Sequence, residues 1–338
     1  MPGGELMTDQ IKAELEDQLP AILDAGADVL SLNLLAGGAS KEAWAVDASV
    51  DGETLELLVR RATGGTIFTG QLSIEEEYRV LQAAFDAGVK VPRPYGYFAD
   101  LAGKDAFLMQ RVKGETIGRR IVRRPELAAA REALPDQMAE ELARIHAIPL
   151  DQVGFVAGPQ APPATPSVLD SLEEQLDTLP EPHPAIELGL RWLRDTERIT
   201  QELVLVHADF RLGNFVVDDQ GMVAVLDWEL ARRGDPAEDL GWALVRAWRF
   251  GADDHRLAGV GEVQPFLARY NELTGRNLSL DDLFYWELAG NVRWAIGSVR
   301  QGMRHLSGEE RSVELAILGR LACEVEYEVL SLLEGVLS

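Results

Sequence analysis

The chain has 338 residues, with 46% hydrophobic and 26% charged positions, and 32 Lys and Arg against 56 Asp and Glu give it a formal net charge of −24. That composition is ordinary for a globular protein and excludes a collagen-like, disordered or disulfide-stapled chain, while the length points to about two domains or lobes. So negative a field repels polyphosphates, which argues against nucleic-acid binding, and an anionic substrate would need a local cluster of arginines.

The first 20 residues are acidic (Glu5, Asp9, Glu14, Glu16, Asp17) and lack an apolar stretch, so no signal peptide is expected. No apolar run approaches the roughly 18 residues that cross a bilayer. Cys323 is the sole cysteine, which rules out an intrachain disulfide and fits a reducing cytoplasm. A soluble, cytoplasmic protein that binds neither nucleic acid nor membrane is the expectation.

Apolar residues at Ile11, Leu15, Leu19, Ile22 and Leu23 predict a helix over 9–25, stopped by Gly26. Strands follow over 29–36, 41–50 and 53–61, the first pair joined by Gly37-Gly38-Ala39-Ser40 and the second by the hairpin signal Asp51-Gly52. A helix over 74–86 and strands over 95–98 and 106–112 complete a small α+β lobe: one helix on a five-stranded antiparallel sheet. The lobe boundary is expected near 112–114, giving an N-terminal lobe of residues 1–112 and a mostly helical lobe of residues 113–338. In the second lobe helices are predicted over 134–148, 168–179, 184–199, 238–249, 262–273, 280–304 and 310–336. Between them, residues 203–227 read as strand, loop, strand, turn and strand.

That last unit carries the chemistry. His207-Ala208-Asp209-Phe210-Arg211-Leu212-Gly213-Asn214 follows the first strand, and Asp227-Trp228-Glu229 ends the third. The hairpin brings Asp227 back beside Asp209 and Asn214. Mg²⁺ prefers hard oxygen ligands and is often held by one or two carboxylates plus substrate phosphates, so Asn214 and Asp227 are the expected metal ligands. Asp209 is left to orient an attacking hydroxyl and accept its proton, the arrangement of a phosphoryl-transfer site.

The stretch HADFRLGNFVV…VAVLDWELARRGDPAEDLGW resembles the catalytic core of the aminoglycoside phosphotransferase and choline kinase group of kinase-like small-molecule phosphotransferases. Within it, the likeness is greatest to the branch that includes kinase domains associated with acyl-CoA dehydrogenases, and it covers about residues 30–304. The resemblance implies a protein-kinase-like two-lobe fold and an ATP- and Mg²⁺-dependent transfer to a hydroxyl. Carried over by position, Asp209 is the base and Asn214 and Asp227 hold the metal. Gly38 and Ser40 belong to the turn over the phosphates, and Arg60 faces the α/β-phosphates, with Arg61 as the alternative because strand alternation sends the two to opposite faces. Glu77 would hold that cation, although Glu75 and Glu76 beside it also suit a solvated acidic face. Gln110 and Val112 would offer hinge backbone to adenine, with Met109 lining the pocket. His207 is expected to hold the loop by hydrogen bonding, and Asp235 and Asp239 to buttress it.

After Asp227 the chain runs almost directly into Gly234-Asp235-Pro236, without the long segment that docks peptides, so a small-molecule acceptor is expected. Arg246, Arg249, Arg293, Arg300 and Arg304, accompanied by Trp248, Trp286 and Trp294, suit an anionic or acyl-CoA-like substrate. The alternative is that the arginines pair with surface carboxylates and the tryptophans are core. Two further readings stay open: a GTP-specific phosphotransferase, and a catalytically silent nucleotide-binding module acting through a partner.

Overall fold

Helix α1 (Pro2–Leu23) lays Ile11, Leu15 and Leu19 on one face of a five-stranded sheet, and β1 (Ala27–Leu34), β2 (Lys41–Val50) and β3 (Glu53–Ala62) follow it directly in the chain. This is a computed structural model that describes residues 2–35, 41–63, 70–198, 200 and 202–337. Helix α2 (Ile74–Asp86) then precedes β4 (Pro94–Phe98) and β5 (Ala106–Gln110), and the strand order is β1-β2-β3-β5-β4, antiparallel throughout. The side chains of Ser73 and Glu76 satisfy the backbone N–H groups at the start of α2 reciprocally, which fixes where that helix begins.

Both faces of this sheet are covered, not one. Trp44, Val46, Leu57 and Val59 face α1, while Leu58, Phe107 and Met109 alternate to the other side and pack with Val80 and Leu81 of α2. The period-two pattern therefore serves two apolar layers, and the opening helix is part of the lobe's core.

The rest of the chain is mostly helical: α3 (Gly118–Ile121), α4 (Ala128–Ile145), α5 (Thr165–Asp177) and α6 (Pro184–Asp195) precede four short strands. These are β6 (Val204–Val206), β7 (Phe215–Asp218), β8 (Gly221–Val225) and β9 (Arg232–Gly234). Helices α7 (Pro236–Trp242), α8 (Val263–Thr274), α9 (Leu280–Ser307) and α10 (Val313–Leu337) close the chain.

Two local expectations are corrected. The three strands expected over 203–227 are present but do not pair as one unit, because β7 pairs with β8 while β6 pairs with the polar β9. The helix expected over 238–249 starts two residues earlier, where Asp235 caps it and Pro236 fills its first position, and it ends at Trp242. The chain then turns through an extended Val245 and a 3₁₀ turn at Arg246–Arg249, which stacks Trp248 against Trp242 at 5.3 Å between ring centres. Gly241 allows α7 to lie directly on α9, since a Cβ there would stand 2.5 Å from Trp286 Cβ. Among the described residues, no helix is long and apolar enough to cross a membrane.

Candidate active site

The loop His207–Asn214 joins β6 to β7, and its backbone hangs on one buried carboxylate. Asp239, in the first turn of α7, accepts the His207 N–H at 2.7 Å and the Ala208 N–H at 2.8 Å. His146 Nε2 lies 3.1 Å from the same group. Burial works to raise this carboxyl's pKa, but its hydrogen bonds with His146 and with the His207 backbone hold it below the ordinary value. His207 Nδ1 accepts the Asp209 N–H at 3.2 Å, and its Nε2 lies 3.0 Å from the Leu226 carbonyl. Burial pushes the His207 pKa down, so the ring is neutral and acts as a brace within the loop.

Leu226 is held from both sides, because its N–H also donates to the Asn214 carbonyl at 2.8 Å. The next residue, Asp227, is thereby set beside the loop, in a left-handed conformation with φ of 61°. Asp209 accepts three hydrogen bonds: from Asn214 Nδ2 at 2.6 Å, Trp242 Nε1 at 2.9 Å and Arg211 Nε at 3.0 Å. With its amide nitrogen committed, Asn214 keeps an Oδ1 that no donor occupies among the described residues.

Arg60 and Arg61 separate as strand alternation requires. Arg61 is buried on the α1 side, where it donates to the Leu101 carbonyl at 2.8 Å and to Glu42 at 2.7 Å. Arg60 faces the cleft, with Nη1 2.6 Å from Asp227 Oδ1 and Nε 3.8 Å from Glu77 Oε1. Burial would raise the Asp227 pKa, but the charge of Arg60 and its hydrogen bond outweigh that and hold it low. Glu77 is buried, whereas Glu75 is exposed and Glu76 only half-buried. Its second oxygen pairs with Lys41, a residue that sequence reasoning passed over. Glu229 is tied as well: Lys41 Nζ lies 2.9 Å from its Oε2.

Arg60, Glu77 and Asp227 line one small cavity together with the apolar Leu81, Phe107, Met109 and Val225. Gln110 ends β5, its N–H donating to the Arg93 carbonyl at 2.8 Å, and Val112 follows just beyond the strand. Gly38 and Ser40 lie outside the described residues.

Of the arginines singled out for the acceptor side, one reaches the loop. Arg293 donates to the Ala208 carbonyl at 2.8 Å and lies over Trp242 at 4.6 Å. Arg249 is buried against Glu287, Arg246 pairs with Asp253, Arg300 with Gln175, and Arg304 with Glu309 and Glu310. Arg293, Arg300 and Arg304 are spaced seven and four residues apart on α9, so the last two lie about two and three turns beyond the one that reaches the loop. Trp286 is core, while Trp248 stacks on both Trp242 and Trp294. Arg211 was missed: it lies over Trp248 at 4.4 Å while bonding Asp209. A larger cavity of about 530 Å³, lined by Trp192, Val263, Phe284 and Glu287 among others, contains none of these loop groups.

Residues 31–273 match the model of the phosphotransferase enzyme family (APH). The chain belongs to that family. Among curated proteins it is 27% identical over 231 residues to acyl-CoA dehydrogenase family member 11 of Gallus gallus, covering 67% of this chain and 29% of that protein. Member 10 of Mus musculus is 29% identical over 199 residues, 56% of this chain and 18% of that protein. The chain thus spans less than a third of the length of either relative.

Among solved structures, a putative aminoglycoside phosphotransferase from Ralstonia eutropha JMP134 superposes with a TM-score of 0.76 at 22% identity, over 97% of this chain and 98% of that one. A mutant of aminoglycoside phosphotransferase APH(4)-Ia, in ternary complex with ADP and hygromycin B, gives 0.59 at 17% identity over 94% and 98%. At these identities the likeness shows the fold, which is the kinase-like fold of the APH family. Within that fold, Lys41 and Arg211 were the residues hardest to find from sequence. Lys41 opens a strand without a pattern around it, while Arg211, two residues from Asp209, carried a positional signal.

Proposed function

We propose that the protein is an ATP- and Mg²⁺-dependent O-phosphotransferase that moves the γ-phosphoryl group of ATP to a hydroxyl of a small molecule. The observation that carries this reading is the convergence of Asp209, Asn214 and Asp227 at one end of two short β-ribbons, with Arg60 reaching them from the small lobe. Membership of the phosphotransferase enzyme family supports it, as does the fold shared with proteins that hold ADP or GDP.

The residues suit Mg²⁺. Among the described residues no three His, Cys, Asp or Glu gather to bind a metal by themselves. Asp227 and the open Oδ1 of Asn214 instead offer two hard oxygens and leave room for phosphate ligands, as Mg²⁺ sites commonly do. The bound ion would neutralise charge on the β- and γ-phosphates. Arg60, backed by Glu77, would bind the phosphates. Asp209, aimed by Asn214, Trp242 and Arg211, would orient the acceptor hydroxyl and take its proton. Most of the rate gain in such a site comes from positioning and electrostatics.

For the acceptor we propose an anionic, acyl-CoA-like or otherwise phosphorylated molecule. Arg211 and Arg293, each stacked on a tryptophan, flank Asp209 and favour negative charge over a polycation. ADP release from Mg·ATP across aminoglycosides, hydroxyacyl-CoAs, choline and sugars, with Asp209→Asn as control, tests both parts. Turnover with an acidic acceptor that disappears in the variant is expected. Equal turnover in wild type and variant would overturn the assignment, and turnover with cationic acceptors alone would overturn the acceptor class. Because some relatives of the fold hold GDP, the same assay is run with Mg·GTP.

A further inference from the structure

Lys41 opens β2, and its side chain is only 6% exposed. Its ammonium lies between carboxylates from both sides of the cleft: Glu77 of α2, and Glu229, two residues beyond Asp227, at 2.9 Å. Gln71 Nε2 donates to the same Glu229 oxygen at 2.7 Å, and the Leu72 N–H donates to the Glu229 carbonyl at 2.8 Å. The small lobe therefore grips Glu229 at three points, in addition to the pair that Arg60 makes with Asp227. Glu77 is shared, since Lys41 holds Oε2 while Arg60 lies 3.8 Å from Oε1 and extends on to Asp227. Removing the ammonium would take away the cation that Glu77 and Glu229 share here, and with it the attraction that draws the two sides of the cleft together at this point.

We propose that Lys41 is a positioning residue. By tying Glu77 to Glu229 it sets how the small lobe sits over Asp227, and hence where Arg60 meets the phosphates. The tie is a matter of geometry alone; only its kinetic consequence rests on the phosphotransferase reading. Lys41 itself touches carboxylates and takes no part in binding the nucleotide.

The test uses the full chain with Lys41→Met, Lys41→Arg, Glu229→Gln and the Lys41→Met, Glu229→Gln double variant. Amide hydrogen exchange is read at Leu72, whose N–H donates to Glu229, and at His207, whose N–H donates to Asp239 in the other lobe. Lys41→Met should speed Leu72 exchange by about tenfold or more while His207 stays protected, and Lys41→Arg should restore it. In the kinetic arm, Lys41→Met should lower kcat about tenfold with the Kd for Mg·ATP changed less than about threefold, and the double variant should be no worse than the worse single. Unchanged Leu72 exchange, or equal acceleration at His207, overturns the tie. Losses that multiply in the double variant, or a loss confined to Mg·ATP affinity, overturn the positioning role and make Lys41 a phosphate ligand. A wild type that transfers no phosphate defeats the function proposed above and leaves the exchange arm to decide the tie.

Discussion

Arg60 Nη1 stands 2.6 Å from Asp227 Oδ1, so a guanidinium on the third strand of the small lobe reaches the carboxylate that follows β8. The pair spans the cleft, and Glu77 behind Arg60 keeps the guanidinium from turning away. Charged hydrogen bonds contribute about 1.5–3 kcal/mol each, or roughly 10- to 150-fold in affinity. Arg60→Met is therefore expected to weaken Mg·ATP binding by about that factor, while Arg61→Met, on the opposite face, leaves it unchanged. Calorimetric titration of both variants with Mg·ATP decides between them, and equal affinities would remove Arg60 from the phosphate site.

Asp209 accepts hydrogen bonds from Asn214, Trp242 and Arg211, which leaves its carboxylate little rotational freedom. Asp209→Asn keeps the shape and removes the base. General-base help is commonly worth about 10²–10⁴-fold, so kcat should fall by that order with Mg·ATP affinity nearly unchanged. Trp242→Phe removes one of the three donors and should cause a smaller loss of the same kind. Single-turnover measurements with saturating Mg·ATP separate chemistry from binding; a wild-type rate in Asp209→Asn would dismiss the base.

The small lobe was largely readable because strands alternate with period two and hairpins carry their own turn signals. That period says Arg60 and Arg61 point oppositely but not which of them meets the cleft; α1 decides it, by covering the face of Leu57, Val59 and Arg61. The meeting of Asp209, Asn214 and Asp227 followed from a short loop and a tight hairpin, both local features. What lay outside local pattern was missed. Strand β9 reads Arg-Arg-Gly and exists only because β6 offers it an edge from far along the chain. Lys41 owes its place to Glu77 and Glu229, 36 and 188 residues away. Arg300 and Arg304 share helical spacing with Arg293 but lie about two and three turns further along α9.

Asp239 holds the His207–Asn214 loop by that loop's backbone. Replacing it with alanine strands the N–H groups of His207 and Ala208 in a buried site, each at a cost of about 1–3 kcal/mol, and removes the partner of His146. A loss of several kcal/mol is a large part of the roughly 5–15 kcal/mol typical of a folded domain. Asp239→Ala should therefore lower the urea midpoint sharply, and Asp239→Asn, which keeps one acceptor, should lower it less. An unchanged midpoint in Asp239→Ala would mean that the loop is held by other contacts.

Asp235 caps α7, accepting the Ala237 N–H at 2.8 Å, and burial drives its carboxyl from an ordinary 3.8 up to about 6. A group that binds its proton more tightly when folded stabilises the protein at low pH. That contribution is complete below the unfolded value near 4 and is lost as pH rises through about 6. Asn at this position has no charge to bury and still caps the helix. Asp235→Asn should therefore be more stable than wild type at pH 7.5, by about 1–3 kcal/mol, and nearly equal to it at pH 4. Urea titrations of both proteins at the two pH values measure the difference. If the gap between them stays constant with pH, the Asp235 carboxyl is not titrating in this range and its burial has been offset by a partner.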